Sequence, residues 1–265
     1  MFVEINSQNN SELRRSSINI KKMNNEFKKQ LIEALKDQKE IFGDELLSQN
    51  NIRRKTAVVT KVITKSDDDS SLFDVKADWE KAESLEELNS LINKCKKCIL
   101  HKSRTNFVFG VGNPNADVMV VGEGPGADED MQGEPFVGRA GKLLNDILKA
   151  INFKREEVYI ANVVKSRPPG NRTPTAEEMD ACVPYLKKQI DLIKPKLILC
   201  LGLTAAQGLL KKRESLTNLR GQLFEYRGAK VMVTYHPAAL LRNPNWKKPC
   251  WEDVQKFRLL YDEMK

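Results

Sequence analysis

Five cysteines, two histidines and one glycine-rich acidic loop carry most of the reactive chemistry in this 265-residue chain. Cys95 and Cys98 stand as C-x-x-C in "NKCKKCIL", and Cys182 lies in "DACVPYL". Thiolates at such spacing suit a soft metal or cluster. The cysteine count is odd, and "MFVEINSQNNSELRRSS" lacks the apolar core of a secretory signal. A disulfide framework is therefore not expected, and a cytoplasmic protein is. Cys200, inside the apolar run "LILCLG", reads as a small buried hydrophobe, and Cys250 begins the last helical stretch.

The loop "GEGPGADEDMQGEPFVGRAGKLL" (122–144) lets backbone approach a ligand closely. A P-loop is excluded, because neither Ser nor Thr follows the Lys of "GRAGK". A dinucleotide fingerprint is excluded as well, because Pro125 interrupts "GEGPGA". Glu123, Asp128, Glu129 and Asp130 would repel a phosphate. They suit a bound water or a developing cation, or else capping and solvation, the role expected for at least half of them. Asn162 ends an apolar run, where its amide can pair with a base edge or simply make a turn. His236 stands in "TYHPAALLRNP" beside a basic tip, which favours a functional over a structural histidine.

These residues need a scaffold that brings three loops together. Apolar strand-like runs at 117–122, 157–164 and 196–202 alternate with amphipathic helical stretches at 140–151 and 175–193. A hairpin-like pair follows around Arg227 and Gly228. Capping boxes are written at Ser84/Glu87 and Thr175/Glu178. Alternating strands and helices predict a parallel sheet covered on both faces, with functional loops at 122–139, 165–174 and 235–244.

Hydrophobic content of 40% and charged content of 30% suffice for a globular core, and no apolar run is long enough to cross a membrane. The net charge of +8 suits a polyanionic partner such as nucleic acid, and equally suits plain solubility. Residues 1–76 read as a largely disordered extension holding one amphipathic stretch marked by Phe27, Leu31, Leu35, Ile41 and Leu46. Within it, "QKEIF" (38–42) resembles a sliding-clamp-binding peptide; an ordinary helix face is the alternative. The globular domain is expected over 77–265.

The blocks "GEGPGADEDMQGEPFVGRAGKLL", "VYIANVVKSRPPGNRTPT", "LGLTAAQGLL" and "TYHPAALLRNPNWKKPCWEDVQKF" resemble the family-4 uracil-DNA glycosylases, in order and with compatible spacing over about residues 95–260. The resemblance implies an α/β fold of three layers, α/β/α, with a central, mostly parallel four-stranded sheet. It implies an enzyme, acting as a monomer, that flips uracil out of single- or double-stranded DNA and hydrolyses its N-glycosidic bond, the first step of base excision repair. By the same resemblance His236 is a neutral donor to the uracil carbonyl, and Phe136 stacks on the flipped base. Asn162 reads the Watson–Crick edge, and Gly124 belongs to the uracil-binding loop. Glu123 and Glu129 place water and stabilise the cation. Leu240, Leu241 and Arg242 enter the duplex; apart from the resemblance, Lys165, Arg167 and Arg172 of the basic loop suit contacts to the DNA backbone. The rival is a non-catalytic damage-binding or replication-associated module of the same fold.

The family resemblance further implies a 4Fe–4S cluster on four cysteines, of which Cys95, Cys98 and Cys182 are present. The remaining position falls in "KSRPP", where Ser166 replaces cysteine. Three readings stay open. Ser166 ligates through oxygen or leaves an iron open; a remote thiol, Cys250 before Cys200, substitutes; or the cluster is lost. The first is adopted.

Overall fold

The computed structural model describes residues 77–265, so the expected amphipathic stretch and "QKEIF" lie outside the described residues. Six strands form one sheet: β1 (Val111–Gly112), β2 (Val118–Gly122), β3 (Tyr159–Asn162), β4 (Leu197–Leu201), β5 (Leu223–Tyr226) and β6 (Ala229–Thr234). Their order is β1-β3-β2-β4-β6-β5. The inner four run parallel, and each edge strand is antiparallel to its neighbour. The four-stranded parallel centre is present, then, with two edge strands added. β1 is two residues long, too short to leave a periodic signal. β5 and β6 close through Arg227 and Gly228, whose φ values of 51° and 82° give the left-handed turn that suits a twisted hairpin.

The helices among the described residues are α1 (Leu85–Ile92), α2 (Ala127–Gln132), α3 (Arg139–Ala150), α4 (Ala176–Ile193), α5 (Leu203–Leu210), α6 (Leu216–Leu219), α7 (Pro237–Arg242) and α8 (Lys247–Asp262). Side chains alternate along each strand, so the sheet feeds two cores. Met119, Val121, Ala161, Ile198, Cys200 and Val233 pack beneath α1, α4, α5 and α6. Val118, Val120, Ile160, Leu199, Leu201 and Met232 pack beneath α3, α7 and α8. This is the three-layer arrangement, and its strands read as continuous apolar runs because both faces are buried.

Capping residues fix where the helices start. At α1 the Glu87 N–H donates to Ser84 Oγ at 3.1 Å. At α4 the box is reciprocal: Glu178 N–H donates to Thr175 Oγ1 at 3.3 Å, and Thr175 N–H to Glu178 Oε2 at 2.8 Å. The stretch after β6, expected as a loop, is the short helix α7, with His236 as its N-cap and Pro237 in its first turn. Register sets Gly122 beside Asn162 where β2 and β3 end together. β6 ends at Thr234, two residues before His236. The loops after β2, β3 and β6 therefore meet outside the carboxyl edge of the sheet, where open α/β sheets bind ligands.

Candidate active site

A cleft of about 370 Å³ opens at that edge, lined by Glu123, Gly124, Phe136, Asn162, Arg172 and His236 among others. Its floor depends on missing side chains. A Cβ on Gly122 would strike Asn162 Oδ1 and stand 2.7 Å from the Phe136 ring, and one on Gly124 would stand 2.6 Å from Val164 Cγ2. Phe136 is 4% exposed and adopts φ 54°, a left-handed conformation uncommon for a side chain of its bulk. Its carbonyl lies where a Cβ of Gly141 would fall, so that glycine lets α3 approach the loop. The Phe136 ring stacks on His236 with centroids 5.5 Å apart and planes inclined by 29°.

Acidic residues stitch this loop together. The Glu129 carboxylate accepts the N–H groups of Val137 and Gly138, each at 3.0 Å, and of Gly126 at 3.1 Å. Its charge thus clamps the two ends of the segment carrying Phe136, which departs from the water-placing role implied for it. Buried Asp130 accepts from the Thr105 and Asn106 amides at 2.9 and 3.3 Å. Sequence reading missed Arg155, which donates to the Pro135 carbonyl at 2.7 Å and to Asn145 Oδ1 at 3.0 Å. No local signal marks it, because its partners lie 10 and 20 residues away. Glu123 lines the cleft and has no side-chain partner among the described residues.

Two groups in the cleft have a defined hydrogen-bonding state. Asn162 is 2% exposed, yet its Oδ1 has no partner among the described residues. His236 Nδ1 accepts the Ala238 N–H at 3.1 Å, which leaves the proton on Nε2. Burial first, and the Arg242 charge second, lower the His236 pKa from 6.5 to about 4. The ring is a neutral donor at physiological pH.

The basic residues expected on DNA divide into surface and interior groups. Lys165 is fully buried and donates to Gln189 Oε1 at 2.6 Å, and burial lowers its pKa to about 8. It cannot reach a phosphate, and its assignment to the DNA backbone is corrected. Leu240 is 1% exposed inside the α3/α8 core, so it does not enter a duplex. Its neighbour Leu241 is 41% exposed, and Arg242 is exposed beside it. Arg167 Nε donates to Asn171 Oδ1 at 2.7 Å. Arg172 grips Glu178 through two hydrogen bonds of 2.7 and 2.8 Å, which ties its loop to the first turn of α4.

The family description of the uracil DNA glycosylase superfamily matches residues 109–255. The chain belongs to the type-4 uracil-DNA glycosylase family. It is 45% identical over 183 residues to the type-4 uracil-DNA glycosylase of Archaeoglobus fulgidus, covering 66% of this chain and 92% of that protein. The counterpart from Sulfurisphaera tokodaii is 46% identical over 187 residues, 67% and 85% of the two chains. The one from Pyrobaculum aerophilum is 46% identical over 181 residues, 65% and 92%.

The iron–sulfur group implied for a type-4 glycosylase can be tested against the thiols this chain holds. Cys95 Sγ accepts the Lys97 N–H at 3.4 Å and the Tyr185 hydroxyl at 3.2 Å. Cys182 Sγ accepts the Lys165 N–H at 3.3 Å, and burial above all raises its pKa to about 11, with the neighbouring Cys98 and Cys95 adding to the rise. N–H groups aimed at sulfur suit thiolate ligands. The fourth position differs: Ser166 Oγ is 62 residues from Arg104 in sequence and accepts its Nη1–H at 3.1 Å. Among the described residues no set of three or more ligating side chains stands ready-made around one metal ion. Cys95, Cys98 and Cys182 match the cluster in residue type, and the fourth position carries a hydroxyl engaged by Arg104. Cys250 is not the spare, because it packs in the opposite core and hydrogen-bonds Thr234 at 3.5 Å. Cys200 lies in the central strand, and burial pushes both thiols up to about 12.

Proposed function

We propose that this chain hydrolyses the N-glycosidic bond of uracil in DNA. The observation that carries the reading is Asn162. A buried amide oxygen without a donor costs about 1–3 kcal/mol, so a site that keeps one is built for a ligand N–H. Uracil offers N3–H there, whereas cytosine offers a lone pair and leaves the oxygen unsatisfied. The Phe136 ring provides the stacking surface for the flipped base. As the bond to the sugar breaks, negative charge grows on the uracil carbonyl next to N1. The Nε2–H of neutral His236 supplies a donor aimed at that charge, and it needs no proton transfer to act. Glu123 is the carboxylate left to place a water or face the cationic sugar. Glu129 acts as a positioning residue through the Phe136 loop. Leu241 and Arg242 occupy the gap left in the duplex.

The cofactor reading rests on the three thiols. Cys95, Cys98 and Cys182 would hold the iron–sulfur cluster, with Ser166 at its fourth position. When bound, the group would pin the segment 165–174 to α4 rather than take part in the hydrolysis.

The test is release of free uracil from an oligonucleotide carrying one uracil, with a cytosine-containing oligonucleotide as control. Release from the first alone supports the reading. Binding of the uracil strand without release would support the damage-binding module instead.

A further inference from the structure

We propose that Trp246 is a stacking platform for an unpaired DNA base next to the flipped uracil, an inference that rests on the reading of the chain as acting on DNA. Trp246 closes the turn Pro244–Trp246, directly after α7 and its exposed Leu241. It is 40% exposed, an aromatic side chain partly left in water four residues after Arg242, which lines the cleft. Its ring stacks on Tyr235, with centroids 5.2 Å apart and planes inclined by 17°. Tyr235 is in turn covered by the Arg220 guanidinium at 5.2 Å. Arg220 is locked by Asp253 at 3.0 and 3.1 Å and by the Pro249 carbonyl at 2.6 Å.

Arg220, Tyr235 and Trp246 thus touch in series, anchored through buried Asp253, with Trp246 the exposed member. Tyr235 directly precedes His236, so the series stands one residue from the proposed uracil donor. Every nucleobase offers a flat π-face, and a preformed aromatic face binds one without ordering cost and without sequence preference. In a duplex the neighbouring bases already stack on one another. In a single strand they do not, so the platform acts there.

The experiment compares wild type with Trp246→Ala, Trp246→Phe and Trp246→Leu on one uracil-containing sequence, single-stranded and duplex. Alanine is expected to raise KM for the single strand about tenfold, within the range for losing one base–aromatic stack. Under the same change kcat and the duplex KM move less than about twofold, since duplex bases keep their own stacking. Phenylalanine should keep most of the wild-type KM, and leucine should behave as alanine. An equal KM rise on both substrates, full retention by leucine, or no change in alanine would each overturn the proposal. Thermal melting of the leucine variant guards against a folding defect. If the wild type releases no uracil, the functional reading fails instead, and anisotropy of the labelled single strand with the same variants still decides the stack.

Discussion

The Ala238 N–H donates to Nδ1 of His236 at 3.1 Å, and this one bond fixes which ring nitrogen carries the proton. Because the folded pKa is lowered from 6.5 to about 4, the ring stays neutral in mildly acidic solution. The unfolded chain takes up a proton near 6.5 and the folded one does not. Stability from this group is therefore complete above 6.5 and declines as pH falls towards 4. The kcat profile should show no step near 6.5 assignable to His236, and His236→Ala should lower kcat by about 10²–10³-fold, the usual loss for one donor to a developing anion. A step near 6.5 that vanishes in His236→Ala would contradict the neutral-donor role.

Asn162→Ala removes an amide that, on the proposed reading, makes up to two hydrogen bonds to the base edge. At about 0.5–1.5 kcal/mol each, kcat/KM for uracil should fall roughly 10- to 100-fold. Melting temperature should hold or rise, because the buried Oδ1 is unpaired in the free protein. A large drop in melting temperature would mean the amide is structural.

Gly122→Ala places a methyl group against Asn162 Oδ1 and the Phe136 ring. Overpacking of this kind costs about 1–3 kcal/mol, and it displaces two groups assigned to the base. Denaturant unfolding and uracil release should decline together. Wild-type values in both would show that the floor of the cleft yields freely.

Salt dependence separates surface charge from buried charge. Arg242→Ala should flatten the slope of log affinity against log salt by about one, as expected when one phosphate contact is lost. Lys165→Met should leave that slope unchanged, since the ammonium is buried against Gln189. A smaller slope in Lys165→Met would return that lysine to the DNA face.

Ser166→Cys restores a fourth thiol where Arg104 now donates to a hydroxyl. After aerobic purification the variant should retain about four irons per chain, and the wild type fewer. Equal iron content in both would show that Ser166 is as good a ligand as cysteine or that neither chain holds the group.

Much of this molecule is written locally. Buried parallel strands need unbroken apolar runs, so β2, β3 and β4 were legible to within a few residues at their ends. Thr175 with Glu178 marked the start of α4 because a capping box spans one turn. Asn162 and His236 were legible as strand-end polar groups in otherwise apolar surroundings. What the tertiary structure alone decided is which side chains face inward where no period operates. Lys165 and Arg167 are two residues apart in one basic loop, yet only the first is buried, because Gln189 of α4 offers it an acceptor. Leu240 and Leu241 are identical in kind, and the packing of α7 against α3 and α8 sends the first into the core. Glu129 read in sequence as one of four acids suited to a water, a cation or a cap, until the chain brought the amides of Val137 and Gly138 to it. The stack of Trp246 on Tyr235 and the bond from Arg104 to Ser166 join residues 11 and 62 positions apart. Periodicity and capping act over one or two turns of chain and can be read in sequence. Pairing across loops depends on where the sheet delivers each loop, and only the folded chain sets that.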